Sequence, residues 1–200
     1  MGINSFNFIA PFYDLLAKVV FGDNLEKASV IFLDKIQKNH NVLILGGGTG
    51  KLISSLPKAN SIHYLEKSEK MIHRAKQKHS ENELTFINID FLAYEPSHKY
   101  DVIVCPFFLD CFSDESLKNV IFKIKELLKK DGLMIVTDFD NKNQSRFLMK
   151  VMHLFFRITA NLESKSLSNI HQYVCDNGFQ LVNEIFLHRK QVFSRLYRNL

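Results

Sequence analysis

Cysteine and proline are scarce in this sequence, and tryptophan is absent: the 200 residues include three cysteines and four prolines. The cysteines, Cys105, Cys111 and Cys175, are odd in number and form no C-x-x-C pair. Disulfide frameworks and zinc sites usually show cysteines paired at short spacings. We therefore expect buried thiols in a reducing compartment, with neither a disulfide nor a metal site.

Long apolar runs are absent as well. No stretch of the sequence approaches the roughly 20 apolar residues that a membrane-spanning helix needs. The first residues also lack the positive region and the apolar run of a signal peptide. We expect a soluble, cytoplasmic protein without stable membrane insertion.

Charge of one sign is not concentrated in any segment. Lysine and arginine exceed aspartate and glutamate by 26 to 21, but the lysines are spread along the chain. Side chains along a strand alternate between its two faces, so a strand would divide the basic cluster near the end of the sequence. This cluster consists of Arg189, Lys190, Arg195 and Arg198. Since a nucleic-acid footprint is a basic patch interleaved with aromatic residues, we expect no nucleic-acid partner.

Short runs of aliphatic and β-branched residues recur at 41–45, 61–65, 84–89, 100–105 and 132–138. Consecutive apolar residues indicate strands that are buried on both faces. A helix is predicted over 114–130, where one apolar stripe contains Leu117, Val120, Ile121, Ile124, Leu127 and Leu128 and Asp131-Gly132 ends it. A second helix is expected after an N-cap at Ser68, with Met71, Ile72 and Ala75 facing inward. This alternation predicts an α/β doubly wound sheet in one domain.

A glycine-rich segment, GGGTGK at 46–51, directly follows the first predicted strand. A P-loop would need glycine at position 45 and serine or threonine at position 52, and both are leucine. The dinucleotide fingerprint also fails, because its third glycine would fall on Lys51 or on Ile53. The remaining pattern is G-x-G-x-G, which allows a turn from strand into helix and a close approach of a ligand to the backbone; its glycines are Gly46, Gly48 and Gly50.

Acidic residues follow the next two predicted strands. Glu66 stands twenty residues after Gly46, where a carboxylate can accept hydrogen bonds from both hydroxyls of a ribose. Asp90 follows the third strand in the segment INIDF. Because the carboxyl ends of parallel strands meet at one edge of the sheet, these groups and the glycine loop should share one crevice. The pattern favours an adenosyl group as the ligand.

Residues 40 to 140 resemble the class I S-adenosylmethionine-dependent methyltransferases, of the small-molecule type that includes quinone and lipid methyltransferases. VLILGGGTGKL is similar to the first motif of that family, IHYLEKSEKMIHRAK to the second and INIDF to the third. YDVIVCPFFLDCF resembles the fourth-strand segment, and LLKKDGLMIVTDF the turn that leads into the fifth strand.

The resemblance implies S-adenosyl-L-methionine as the cofactor. Glu66 would bind the ribose, Asp90 the adenine amino group, and Phe91 would pack on the adenine ring. The full set implied for the cofactor is Tyr13, Gly46, Gly47, Gly48, Thr49, Gly50, Glu66, Lys67, Met71, Asp90, Phe91, Pro106 and Phe107.

The implied fold is a Rossmann-like, seven-stranded sheet with a C-terminal antiparallel hairpin. A single methyltransferase domain would cover residues 1–200. Within it we expect an N-terminal helical lid over 1–40, a cofactor-binding core over 41–140, a helical substrate cover over 141–178 and the hairpin over 179–200.

One position departs from the family pattern. The family usually has aspartate or glutamate two residues before the first glycine, and this sequence has Ile44. Either the missing carboxylate weakens cofactor binding, or a neighbour replaces it. A non-catalytic protein that binds the adenosyl cofactor is therefore an alternative to the methyltransferase, and a nicotinamide-dependent enzyme is a third.

The catalytic residue is not assigned by the sequence. Methyl transfer from a sulfonium depends chiefly on positioning, and a general base is needed only where the acceptor loses a proton. The candidates near the expected pocket are Tyr13, Asp110 and His153. Asp138 and Asp140 either join them or are solvated loop residues.

Two flanking segments bear on the methyl acceptor. Residues 6–22 are rich in aromatic side chains, and their Tyr13-Asp14 resembles the pair before the core of quinone and small-molecule methyltransferases. Residues 145–162 form an apolar helical pattern, which is either core packing or the wall of an acceptor pocket. The expected partner is a small, hydrophobic substrate, with a protein or nucleic-acid acceptor as the alternative. The sequence assigns neither the acceptor atom nor the oligomeric state.

Overall fold

The computed structural model of the protein describes residues 23–140 and 169–200. Its helices are α1 (Asn24–Val30), α2 (Glu69–Ala75), α3 (Asp114–Leu127) and α4 (Ile170–Asp176). Its strands are β1 (Asn41–Leu45), β2 (Ser61–Leu65), β3 (Leu84–Ile87), β4 (Tyr100–Pro106), β5 (Leu128–Phe139), β6 (Phe179–Leu187) and β7 (Val192–Asn199). Short 3₁₀ turns lie at Leu33–Lys35, Ile53–Ser55, Phe91–Ala93 and Leu109–Cys111.

The strands form one seven-stranded sheet in the order β3-β2-β1-β4-β5-β7-β6. The first five strands are parallel, and β7 is antiparallel to both β5 and β6. The chain passes from β1 to one side through β2 and β3, then returns to the other side of β1 with β4. The sheet therefore has its switch point at the carboxyl ends of β1 and β4, where doubly wound proteins bind ligands. The predicted seven-stranded sheet with a C-terminal antiparallel hairpin is confirmed.

Both faces of the sheet are covered, as the apolar runs of the sequence indicate. Alternate residues of β1 enter opposite core layers: Leu43 and Leu45 lie in one, and Val42 and Ile44 lie in the other. All four are fully buried. The layer of Leu43 also contains the inner face of α3. Because each face of the sheet has its own layer, side chains at successive strand positions have different neighbours.

Helix α3 begins as predicted but ends earlier. The Ser113 hydroxyl accepts a hydrogen bond from the Ser116 amide at 3.3 Å, and the predicted stripe is buried from Leu117 to Ile124. The prediction that the helix continues to residue 130 is wrong, since Leu128 is extended and pairs with Tyr100 of β4. Sheet pairing and full burial of Leu128 outweigh the local helical pattern.

Helix α2 follows the prediction at its start. The Ser68 side chain caps it by accepting a hydrogen bond from the Met71 amide at 3.4 Å, and Met71, Ile72 and Ala75 are buried. Strand β3 is shorter than the predicted 84–89, because it ends at Ile87. The side chain of the next residue, Asn88, instead donates to the carbonyls of Glu66 and Lys67, each at 2.9 Å.

The prediction that strand alternation divides the basic cluster is wrong for Arg189 and Lys190, which lie exposed in the turn between β6 and β7, and holds for the two arginines of β7. Arg195 is buried, forms an ion pair with Glu184 and lies 4.0 Å from the centroid of the Phe193 ring. Arg198, three residues later, is exposed. The buried arginine is therefore part of the sheet's packing and does not contribute to a surface patch.

The cysteines agree with the sequence expectation only in part. All three are free and Cys105 is buried, but Cys111 and Cys175 are partly exposed, so the prediction of buried thiols is wrong for these two. They lie in the turn after β4 and in the last turn of α4, outside the strand interiors. None of the helices within residues 23–140 and 169–200 has both the length and the apolarity needed to cross a membrane.

Candidate functional site

Backbone hydrogen bonds align the turns that leave β1 and β2. The Gly46 amide donates to the Leu65 carbonyl at 2.9 Å, and the Glu66 amide donates to the Ile87 carbonyl at 3.1 Å. These bonds extend the parallel pairing by one residue beyond each strand. The glycine segment and Glu66 therefore leave the sheet side by side, at the switch point.

The glycine loop, Gly46–Gly50, depends on the freedom of glycine at alternate positions. Gly46, Gly48 and Gly50 have φ angles of 63°, 61° and 81°, in the left-handed region that other residues rarely adopt. The loop was expected to lead into a helix, and this is wrong: one 3₁₀ turn, Ile53–Ser55, follows it. Pro57 explains the early end, because a proline forces the residue before it into an extended conformation.

Close packing fixes the glycine loop on several sides. A Cβ atom at Gly46 would lie 2.6 Å from the Phe108 ring, and one at Gly50 would lie 2.9 Å from the Ala75 backbone. A Cβ atom at Gly47 would overlap the Tyr64 ring. The sequence did not single out Phe108 or Tyr64, since these contacts depend on the order of strands in the sheet.

Glu66 connects the loop to the start of helix α2. Its Oε2 accepts the Gly48 amide at 3.1 Å, and its Oε1 accepts the Ser68 amide at 2.8 Å. The residue is 9% exposed. Burial raises the pKa of the Glu66 carboxyl, and the amide hydrogen bonds only partly offset this. Because a carboxylate oxygen can accept more than one hydrogen bond, Glu66 keeps acceptor capacity for a ligand.

Asp90 follows β3 at the same edge of the sheet. Its Oδ1 accepts the Leu92 amide at 3.0 Å, and its Oδ2 accepts a hydrogen bond from Lys67 Nζ at 2.8 Å. Partial burial opposes ionisation, but the bonds from Lys67 and from the Leu92 amide outweigh it and lower the pKa of Asp90. Asp90 is thus held as a charged acceptor beside Glu66, and two of the predicted site residues, Lys67 and Asp90, are paired with each other.

The other residues predicted to bind the cofactor form two groups, one on the side of β1 to β3 and one at the end of β4. Phe91 is buried and lies edge-to-face with Phe108, with 5.7 Å between ring centroids. The buried Met71 lies near the loop, with its Sδ 4.0 Å from a Cβ atom placed at Gly48. Thr49, inside the loop, is partly buried. These three therefore lie on the β1 to β3 side of the site.

Pro106 and Phe107 end β4, on the other side of the switch point. Phe107 has a φ angle of 51°, which is unusual for a bulky residue, and its amide donates to the Thr137 carbonyl at 2.7 Å. The Phe107 ring lies 5.0 Å from that of Phe139. Strained backbone of this kind is concentrated at functional sites, because only surrounding contacts can hold it.

Two buried carboxyl groups lie behind these aromatic residues. Asp138 is fully buried, and its carboxyl accepts the Phe139 amide at 3.0 Å and the Asp110 amide at 3.1 Å. The Cys111 thiol donates to the Asp110 carboxyl at 3.6 Å. Asp140 is 7% exposed. The alternative that Asp138 and Asp140 are solvated loop residues is therefore wrong: β5 extends to Phe139 and carries them inside the fold.

Asp110 and Asp138 are direct neighbours, joined by the hydrogen bond from the Asp110 amide to the Asp138 carboxyl. Burial raises the pKa of Asp110 to about 6, and burial together with the neighbouring Asp110 raises that of Asp138 well above its usual range. Two carboxyl groups this close cannot both ionise easily, so they hold one proton between them at neutral pH. Burial together with the neighbouring Asp110 favours the protonated form of Asp138.

Tyr13 and His153 lie outside the described residues, as do the segments 6–22 and 145–162 that were considered for the acceptor. Asp110 is the candidate that the structure places, at the carboxyl end of β4. The roles of all these residues stay predictions.

Residues 42–132 match a protein-family model described as "Methyltransferase domain". The malonyl-[acyl-carrier protein] O-methyltransferase 2 of Ilyobacter polytropus is 31% identical over 114 residues, which cover 54% of this chain and 43% of that protein. The chain spans about half the length of the curated relatives it matches.

Solved structures share the whole fold at lower sequence identity. The magnesium protoporphyrin IX methyltransferase of Synechocystis PCC 6803, solved with bound S-adenosylhomocysteine, has a TM-score of 0.67 at 20% identity, over 89% of this chain and 83% of that chain. A complex between the Haloferax volcanii Trm112 methyltransferase activator and an inferred methyltransferase matches with a TM-score of 0.75 at 12% identity, over 100% and 99% of the two chains. These likenesses establish the fold.

The buried pair yields a prediction for the pH dependence of stability. A carboxyl group whose pKa is higher in the folded than in the unfolded chain stabilises the fold at low pH. This stabilisation is lost as the pH rises from the pKa in the unfolded chain through the pKa in the folded chain. We expect the free energy of unfolding to fall between about pH 4 and pH 6, and further above it, as Asp110 and then Asp138 ionise. Asp110→Asn should flatten this fall and raise stability at pH 8, because the amide can donate to Asp138.

Denaturant unfolding at several pH values measures the effect. The exposed Asp34, at the surface beside Lys35, supplies the control variant Asp34→Asn, which should leave the pH profile unchanged. Identical profiles for Asp110→Asn and the parent protein would contradict the shared proton.

Proposed function

We propose that this protein binds S-adenosyl-L-methionine and transfers its methyl group, since residues 42–132 match a methyltransferase-domain model and the chain shares the fold of solved methyltransferases. The observation that carries the proposal is the glycine loop held by Glu66 at the switch point of the sheet. The cofactor would lie across the carboxyl ends of β1, β2 and β3.

The chemistry of the site fits the parts of this cofactor. Glu66 offers a buried carboxylate whose two oxygens each accept one backbone amide and keep further acceptor capacity for ribose hydroxyls. Asp90 offers a charged acceptor to an amino group at the neighbouring strand end. The loop presents bare backbone, because side chains at Gly46 and Gly47 would collide with the rings beside them. A loop of this kind allows a ligand to lie directly against the chain.

When bound, the cofactor supplies a methyl group that is already activated by its sulfonium. The protein's own task is then to position that group and to exclude water, and holding two reactants in line can supply roughly 7–11 kcal/mol of the barrier. Asp110 is the described residue that could take a proton from an acceptor, since its pKa of about 6 leaves it ionised at neutral pH.

For the acceptor we propose a small and rather hydrophobic molecule. Aromatic side chains surround the carboxyl end of β4, where Phe107 lies against Phe139 and Phe108 lies 5.1 Å from Phe112. Rings of this kind suit an apolar ligand surface. The magnesium protoporphyrin IX methyltransferase supports the same class by the substrate in its name.

Two alternatives have their own support. A macromolecular acceptor, or an activator subunit, is supported by the likeness to the methyltransferase that forms a complex with Trm112. A non-catalytic protein that binds the cofactor is supported by the buried, apolar Ile44.

Binding of S-adenosylhomocysteine, the product form of the cofactor, is the first test. At a hundredfold excess over its dissociation constant a ligand stabilises the fold by about 2.7 kcal/mol. For a chain of this size the melting temperature should rise by roughly 5–11 °C. Thermal melts with NAD and with ATP are the controls, and we expect no shift with either. A shift with NAD and none with S-adenosylhomocysteine would overturn the proposal.

Glu66→Gln should weaken S-adenosylhomocysteine strongly, because two ribose hydroxyls lose a charged acceptor. Hydrogen bonds to a charged group contribute about 1.5–3 kcal/mol, so the dissociation constant should rise roughly ten- to a hundredfold. Asp90→Asn should have a smaller effect, because its carboxyl is partly exposed. Glu95→Gln is the matched control, since that carboxylate is largely exposed in an ion pair with Lys123. Calorimetry that finds all three variants equal to the parent would show that the ligand lies elsewhere.

The acceptor class can be tested without knowing the acceptor. Purified protein and cofactor carrying a tritiated methyl group are added to a cell extract, which is then separated into organic-soluble and macromolecular fractions. We expect label in the organic-soluble fraction, and label in protein or nucleic acid would favour the macromolecular alternative. If no fraction is labelled although the cofactor binds, the protein is a binder and not an enzyme.

A further inference from the structure

The side chain beside Ile44 is that of Tyr64. The two residues are in-register partners on the parallel strands β1 and β2. In-register partners project to the same face of a sheet, and both residues lie fully buried in the same core layer. Position 44 of β1, where the resembled family has a carboxylate, is therefore apolar here, and its in-register partner on β2 is a tyrosine.

That hydroxyl reaches the glycine loop. Tyr64 OH donates a hydrogen bond to the Gly48 carbonyl at 3.2 Å. Glu66, the first residue after β2, accepts the amide of the same glycine at 3.1 Å. The carbonyl and the amide of Gly48, which has a left-handed backbone, are thus bound by a side chain of β2 and by the side chain that directly follows it.

The ring of Tyr64 supports the loop as well as its hydroxyl. Gly47 lies so close to this ring that no side chain fits between them. The ring is held in turn by Phe86 of β3, at 5.1 Å between centroids. Burial raises the pKa of the Tyr64 hydroxyl well above its usual value, so the group keeps its proton and donates at any working pH.

We propose that Tyr64, the in-register neighbour of Ile44, is a positioning residue for the cofactor, which fixes Gly47 and Gly48 in the binding conformation. A loop that is already ordered before the ligand arrives loses less conformational freedom on binding, and this increases affinity. The proposal rests on the proposed function, because it concerns how the chain binds the cofactor.

Tyr64→Phe tests it, since the variant keeps the ring and removes only the hydroxyl. Loss of one buried hydrogen bond should raise the dissociation constant of S-adenosylhomocysteine about three- to tenfold by calorimetry. In the cofactor-free protein, hydrogen exchange at the Gly48 and Gly50 amides should become faster, measured by NMR.

A second buried tyrosine supplies the matched control. Tyr197 is fully buried in β7, and its hydroxyl is hydrogen-bonded to His171 Nδ1 at 3.1 Å. Tyr197→Phe therefore removes a comparable bond far from the loop. We expect it to change neither the affinity for S-adenosylhomocysteine nor the exchange of the loop amides, and thermal melts of both variants show how much stability each loses.

The outcomes separate the two proposals. If the parent protein does not bind S-adenosylhomocysteine, the proposed function fails and the role of Tyr64 fails with it. If the parent binds but Tyr64→Phe binds equally well, the proposed function stands and the role of Tyr64 is wrong. If Tyr64→Phe and Tyr197→Phe weaken binding to the same extent, Tyr64 acts only through general stability, and the positioning role is equally wrong.

Discussion

The candidate site depends on one buried carboxylate that holds two backbone amides from different parts of the chain. Glu66 accepts the amide of Gly48 from the loop after β1 and that of Ser68 from the start of α2. Without this acceptor, both amides would be left unpaired in a largely buried region, which costs about 1–3 kcal/mol for each group. The same interaction therefore stabilises the local fold and shapes the surface that a ligand contacts.

The strands were predicted well from the sequence, because their runs of consecutive apolar residues indicate burial on both faces of a sheet. Residues such as Leu43 and Ile44 are adjacent in sequence and enter opposite core layers, which only a strand covered on both faces allows. The positions of Glu66 and Asp90 followed from counting along these strands. Local sequence patterns predicted the wrong end of an element where pairing between strands determines the structure. Leu128 continues a helical stripe in sequence, yet it belongs to β5 because Tyr100 pairs with it.

The contacts that shape the glycine loop could not be read from the sequence. Phe108 packs on Gly46, and Tyr64 lies beneath Gly47, because β4 and β2 flank β1 in the sheet. Both residues stand in segments that resemble family motifs, but nothing in those segments indicates a contact with the glycine loop. Strand order and register, which place Tyr64 beside Ile44, are long-range properties. The sequence therefore shows that the family carboxylate is replaced by isoleucine, but it does not show which side chain lies beside that position.

The acidic residues at this edge of the sheet differ in electrostatic environment: the pKa of Asp90 is lowered, whereas burial raises the pKa values of Glu66, Asp110 and Asp138. On the side of β2 and β3, Lys67 and a backbone amide keep Asp90 ionised, and two further amides partly offset the burial of Glu66. On the side of β4 and β5, no described basic group contacts Asp138, and burial favours a proton shared with Asp110.

Asp90 and the buried carboxyl pair therefore suit different tasks, because a fixed charge suits the binding of polar groups whereas a retained proton suits proton transfer. In the proposed methyltransferase, the first side would bind the adenosine of the cofactor and the second would face the acceptor. The boundary between the two sides is the switch point of the sheet, at the ends of β1 and β4. On one side of this boundary Lys67 and the Leu92 amide favour the charged form of Asp90, and on the other side burial favours a proton on the carboxyl pair behind the aromatic residues.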